Sequence, residues 1–310
     1  MDSQNADVKL PAIDQEPHLA TSEIIFSRIL VATDFSKPAT QALKMAILIS
    51  QTFGAKLFLV HAATPIGYGI DAGPIPIEVL NADLDADKEQ INQLVLSEPG
   101  LSQLKPSITV AYAEAKDLIH QVSREEKIDL IVVGSHGASG LERLALGSVA
   151  EAVLHQAKCP VLIVGPQCKP EQYPFRSILF ATDLKTTGLR GAQYATGLAE
   201  RFHSKLTLLH VMNEEPIPPI REAELIQRRI KHNLQRLIPP DAEYYCKARV
   251  RVEYGKAAEV IAAVAESESA SLLVIGLREH VLGDHAPWST VARLTREVKT
   301  AVLGVRGHYV

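Results

Sequence analysis

Val132-Val133-Gly134-Ser135-His136-Gly137-Ala138-Ser139-Gly140 carries a buried strand straight into a glycine-rich turn, and Leu141 to Leu146 then lead to Gly147-Ser148-Val149. The apolar run Leu130 to Val133 has no polar alternation, which marks a strand covered on both faces. Three glycines within seven residues let the backbone turn sharply and lie against a ligand without Cβ clashes. Gly147-Ser148 opens a helical pattern in which Ser148 is the expected N-cap and Glu151 its capping-box partner. A strand, a glycine loop and a helix N-terminus together can hold a phosphate on backbone N–H groups. No Gly-Lys-Ser/Thr occurs here, so this is not a Walker loop, and the spacing of Gly134, Gly137 and Gly140 is not the dinucleotide fingerprint. A tight βα turn with an ordinary cap explains the same residues without a ligand, and on the loop alone both readings stay open.

At 310 residues the chain allows about two domains, each able to bury a real core. Hydrophobic content of 46% and charged content of 22% are those of a globular protein. A net charge of −4 gives no electrostatic case for nucleic acid, which usually needs a basic face. No apolar run approaches the roughly 20 residues of a membrane helix, and no basic-then-apolar start marks a secretory signal. Cys159, Cys168 and Cys246 lack ligand spacing, which favours reduced thiols and a cytoplasmic location.

Taken in order, residues 1–25 read as a flexible leader. Ile29 to Ala32 is a strand ending at Thr33-Asp34, and Ser36 caps a helix with Pro38 in its first turn and Gly54 at its end. Lys56 to His61 is the second strand, followed by a loop and a helix from about Ile77 to Leu96. Ile108 to Tyr112, Leu130 to Gly134 and Val161 to Val164 are strands, separated by helices Ala115 to Glu126 and Ser148 to Gln156. Short connections and strict alternation predict a doubly wound, five-stranded parallel α/β sheet over 26–166.

After a linker at 167–174 the pattern restarts, giving a second domain at 175–310. Ile178 to Asp183 restates Ile29 to Asp34, and Lys205 to His210 restates Lys56 to His61, both at an offset of 149. Val250 to Tyr254 matches Ile108 to Tyr112 and Leu273 to Gly276 matches Ile131 to Gly134, now at 142.

The spacing Gly134-x2-Gly137-x9-Gly147-Ser148, with Ala-Thr-Asp closing strand one and His closing strand two, resembles the ATP-binding universal stress proteins, here in tandem form. The resemblance covers the chain outside the leader and implies sheet order 3-2-1-4-5 in each domain. Strands one and four then flank the switch point where open α/β sheets bind ligands. By resemblance, Ala32, Thr33 and Asp34, with backbone near Ala62, would line an adenine base. Gly134, Gly137, Gly147, Ser148 and Val149 would contact phosphate and ribose.

Asp34 has two readings: capping the next turn, as Asp often does, or accepting hydrogen bonds from a base or ribose. His136 would contact a phosphate or face solvent. Bound ATP would need Mg²⁺, the helix end at Ser148, or Arg143 to offset the Asp34 charge. No positioned base with an oriented partner is apparent, so the chain reads as a binding module and at most a slow ATPase. His280, Asp284 and His285 fit no standard zinc spacing. In the second domain Glu279, Leu282 and Ser289 replace Gly137, Gly140 and Gly147, and Arg293 replaces Glu151, so one ATP per chain is expected, in the first domain. Val161 to Val164 and Ala301 to Val305 are expected as sheet edges through which the two domains pair, with a homodimer as a further option.

The leading expectation is a nucleotide-responsive stress or signalling module. Its alternatives are an adenine-nucleotide hydrolase or nucleotidyl transferase on the same fold, and a dimerisation scaffold without nucleotide.

Overall fold

The computed structural model describes residues 24–63, 77–137, 146–168, 175–184, 187–212, 220–277 and 286–307. The first half runs β1 (Arg28–Ala32), α1 (Lys37–Phe53), β2 (Lys56–Ala63), α2 (Ile77–Ser97), α3 (Leu101–Leu104), β3 (Ser107–Tyr112), α4 (Ala115–Glu125), β4 (Leu130–Gly134), α5 (Ser148–Gln156) and β5 (Val161–Val164). The second half repeats it as β6 (Ser177–Ala181), α6 (Thr187–Phe202), β7 (Lys205–Met212), α7 (Ile220–Gln235), β8 (Lys247–Tyr254), α8 (Ala257–Ser267), β9 (Leu272–Leu277), α9 (Ala286–Glu297) and β10 (Ala301–Arg306).

These strands form one ten-stranded sheet in the order β3-β2-β1-β4-β5-β10-β9-β6-β7-β8. Each half has the order 3-2-1-4-5 with parallel neighbours. The halves meet where β5 and β10 pair antiparallel, Leu162 opposite Leu303. Parallel strands covered by helices on both faces must be apolar throughout. Ile29 and Val31 accordingly enter one core and Leu30 the other. Both cores run through both halves. Residues of α1, α2, α6 and α7 pack on one face, and residues of α4, α5, α8 and α9 on the other.

Local chemistry sets the element ends nearest the site. Ser36 caps α1 by accepting from the N–H of Ala39, and Gly54 ends it at φ 65°. At the equivalent end of α6 the left-handed position is filled by His203, at φ 50°. Strand two extends past His61 to Ala63, because Ala62 and Ala63 continue the ladder against Ala111 and Tyr112. The four-residue α3 has no counterpart in the sequence reading, being too short to show a period. Between the halves, α1 and α6 share an aromatic seam, with Phe26–Phe53 centroids 5.1 Å apart and Phe53–Phe202 5.9 Å.

Candidate functional site

The site lies at the carboxyl ends of β1, β2 and β4 and is built on a turn held at several points. Thr33 is buried; its N–H donates to the Val60 carbonyl at 2.9 Å, and its Oγ1 accepts from the N–H of Phe35 at 3.1 Å. Phe35 sits at φ 60°, a region that disfavours side chains, and its ring lies 4.7 Å from that of His61. His61 Nδ1 reaches the Thr33 carbonyl at 2.8 Å. That bond gives the strand-two histidine its structural role. Asp34 projects from this turn, exposed, with Oδ1 accepting the N–H of Ser36 at 3.0 Å. The turn-capping role of Asp34 is therefore real, and it uses Oδ1.

The other oxygen faces the glycine loop. A Cβ on Gly137 would fall 2.9 Å from Asp34 Oδ2, so the loop after β4 and the turn after β1 meet as the inferred topology requires. Gly147 closes the loop on itself. Its N–H donates to the Ser135 carbonyl at 2.8 Å, and a Cβ there would stand 3.1 Å from that carbonyl and 3.2 Å from His136 Cα. Gly134 has a different task. A Cβ on it would sit 2.9 Å from the backbone of both Pro38 and Ala39, so this glycine lets α1 lie on the end of β4.

Two sequence expectations are corrected here. The N-cap of α5 is Gly147, at φ −61° and ψ 144°, with no side-chain cap bond, and Ser148 is already helical. The bond from Gly147 to Ser135 pulls the chain into the helix one residue early, so the Ser148–Glu151 capping box does not form. Glu151 instead lies near His155, one turn on, at 3.9 Å. The helix therefore begins without a side chain on its first N–H groups, which is the arrangement an anion would complete. His136, for its part, does not stand out in solvent. Its Nδ1 is 2.8 Å from the hydroxyl of the fully buried Ser135, and its Nε2 is buried with no hydrogen-bond partner among the described residues. A buried ring nitrogen without a partner calls for a ligand, ion or water.

Ala32 and Ala62 are half-buried and pack against the core beneath the turn. Val149 packs toward the core, so only its backbone is available to the site. Arg143 and Gly140 lie outside the described residues, as do Glu279, Leu282, His280, Asp284 and His285 of the second half. Arg293, at the place of Glu151, is held by Glu259 at 3.1 Å and Glu297 at 2.8 Å. Burial pushes the thiols of Cys159 and Cys246 up to about 11, which keeps them protonated and poor nucleophiles at neutral pH. No three His, Cys, Asp or Glu side chains gather as metal ligands among the described residues. No helix there is long and apolar enough to cross a membrane.

The fold agrees with known proteins. The universal stress protein family profile matches residues 26–165 and again 174–306. A universal stress protein A homologue of Coxiella burnetii is 35% identical over 148 residues, covering 45% of this chain and 94% of its own length. A universal stress protein of Mycolicibacterium smegmatis is 24% identical over 288 residues, covering 90% of this chain and 96% of its own. The crystal structure of a universal stress protein from Archaeoglobus fulgidus shares the fold, with a TM-score of 0.66 at 18% identity over 91% of this chain and 98% of that one. With both halves matched, this chain belongs to the universal stress protein family, in a tandem two-domain form.

Proposed function

We propose that the first half binds ATP and that the chain works as a nucleotide-responsive stress or signalling module. The observation that carries this reading is the convergence of Asp34 Oδ2, the bare backbone of Gly137 and the side-chain-free start of α5. The adenosine would lie against Ala32 and Ala62, with Asp34 accepting from a base amine or ribose hydroxyl. The phosphates would lie on the N–H groups of Gly137, Ser148 and Val149, where the helix dipole favours negative charge. His136 Nε2, buried and unpartnered among the described residues, supplies a further polar contact. Mg²⁺ would offset the phosphates beside the Asp34 carboxylate.

The reading extends to a cytoplasmic protein whose halves at 26–166 and 175–310 act as one body, with self-association of the tandem chain left to measurement. Catalysis is not part of it, since Nδ1 of His136 is engaged by Ser135 and no oriented base is paired with it among the described residues. Titration calorimetry of the full chain with MgATP is the test. One site per chain is the expected stoichiometry; no saturable binding would overturn the proposal, and two equivalent sites would overturn its assignment to the first half.

A further inference from the structure

Away from the nucleotide end, α4 and α5 leave a cleft of about 290 Å³. It reaches toward the amino end of β4, where Ile131 and Cys159 line it. The floor is apolar: Ile119, Ile128, Ile131 and Val153 are all under 8% exposed. The rim carries Lys116, Arg124, Lys127 and Lys158, and no carboxylate lines the cleft.

Most of the nearby acids are engaged. Glu125 accepts from Gln121 at 2.9 Å, and Glu126 pairs with Arg28. Asp129 accepts the backbone N–H groups of Ser27 and Arg28. Asp117 and Glu125 line a neighbouring hollow along α4, which His120 and Arg124 border as well, without an ion pair to Arg124 among the described residues. Among the described residues, none of the four rim cations forms an ion pair. Four like charges around a small apolar hollow repel one another and gain nothing for folding.

The second half shows that the fold does not require them. Leu130 and Leu272 hold the same place beside strand one, which fixes the offset there at 142. At that offset Lys116 becomes Ala258, His120 becomes Ala262, Arg124 becomes Glu266 and Lys127 becomes Ser269. The turn itself is retained, since Lys127 and Ser269 stand at φ 50° and 48°. Only Lys158 has a basic counterpart, Lys299, at the offset of 141 that matches Val161 with Val302, and that one is 3.8 Å from Glu266. One half thus rims this cleft with unpaired cations, while the other carries alanine, serine and a neutralised lysine.

We propose that the α4–α5 cleft is a second small-molecule site, which takes an anionic amphiphile of the medium-chain fatty carboxylate class. The rim charges receive the carboxylate and the isoleucine–valine floor receives the alkyl chain. An extended polyanion would need a broad basic face, whereas here four cations rim a single cleft and the next hollow along α4 carries Asp117 and Glu125. A small inorganic anion would leave the apolar floor unused.

The test is calorimetry of the full chain with decanoate, below its micellar range, beside acetate, inorganic phosphate and decyltrimethylammonium. Decanoate should saturate one site, acetate and phosphate should bind at least about 10-fold more weakly, and the cationic amphiphile should not bind. Arg124→Glu with Lys127→Glu should cut decanoate affinity at least about 10-fold and leave ATP affinity unchanged. Arg124→Gln with Lys127→Gln should lower it less, in a chain whose circular dichroism is that of the parent. Gly137→Val should leave decanoate binding intact, which separates this cleft from the nucleotide site. Phosphate binding as tightly as decanoate, undiminished binding in the charge-reversed chain, or no saturable decanoate site would each overturn the proposal.

Discussion

The turn after strand one is built the same way in both halves, whereas the sequence that follows strand four differs between them. Thr182 repeats Thr33: its N–H donates to Leu209 at 3.0 Å, its Oγ1 accepts from Leu184 at 3.0 Å, and Leu184 stands at φ 59° as Phe35 does at 60°. His210 Nδ1 meets the Thr182 carbonyl at 2.9 Å, as His61 meets Thr33. Of Gly134, Gly137, Gly140 and Gly147, only the one at the end of strand four persists, Gly134 as Gly276. Gly134 is the glycine whose Cβ would collide with α1, and in the second half α6 also runs close to the strand end, a Cβ on Gly191 standing 3.6 Å from the Gly276 nitrogen. Gly137 and Gly147 become Glu279 and Ser289, yet the second half still folds into the same sheet. The sheet therefore forms without glycine at those places, and Gly137 in the first half, whose Cβ would meet the Asp34 carboxylate, answers to something besides the sheet.

The strongest way to break that comparison is Gly137→Val. Its Cβ would meet Asp34 Oδ2 at 2.9 Å and fill the place where phosphate and backbone meet. ATP affinity should fall by about 10- to 100-fold, the equivalent of about 1–3 kcal/mol. Glu279→Val in the second half should leave ATP affinity where it was. Calorimetry on both variants decides it, and an equal response from the two would erase the distinction between the halves.

A smaller effect is expected from Asp34→Asn, which keeps an oxygen for the N–H of Ser36 and removes only the charge. ATP affinity should drop by about 10-fold, since hydrogen bonds to ionised groups contribute more than neutral ones. Asp183→Asn should change nothing in ATP binding. A loss from Asp183→Asn as large as that from Asp34→Asn would mean that the second half takes part in the same ligand.

The smallest effect concerns acid. Burial pushes the His210 imidazole below its ordinary value of 6.5, against the bond to Thr182 and the nearby Asp183. The unfolded chain thus takes up a proton more readily than the folded one as pH drops below about 6.5. Stability contributed by neutral His210 is complete above that pH and is lost as pH falls through it. Urea unfolding midpoints between pH 7.5 and 5.0 should show a shallower decline in His210→Gln than in the parent chain; parallel declines would remove His210 from the account.

Much of this was legible because parallel strands advertise themselves. Leu130–Gly134, Val161–Val164 and Ser148–Gln156 have the limits that apolar runs, glycine and proline set in the sequence. The meeting of Asp34 with Gly137 followed from strand order, since two turns at one end of adjacent strands have nowhere else to go. What stayed hidden depended on contacts across the loop. Gly147 displaces Ser148 as the cap because Ser135 takes its N–H, and no local pattern encodes that bond. His136 looked like a loop residue by its neighbours, and only the fold encloses its Nε2. The packing role of Gly134 was masked by its place in a glycine-rich motif, where every glycine invites the same explanation.

The antiparallel seam between β5 and β10 has a consequence in mass action. Two separate subunits joined along such strands would come apart on dilution, whereas two halves on one chain face each other at an effective concentration in about the millimolar range. Their union is then independent of how much protein the cell holds. A dimer of identical subunits must also repeat at one end whatever it carries at the other. A covalent pair is free of that constraint, so one half can trade its glycines for Glu279 and Ser289 while the other keeps them.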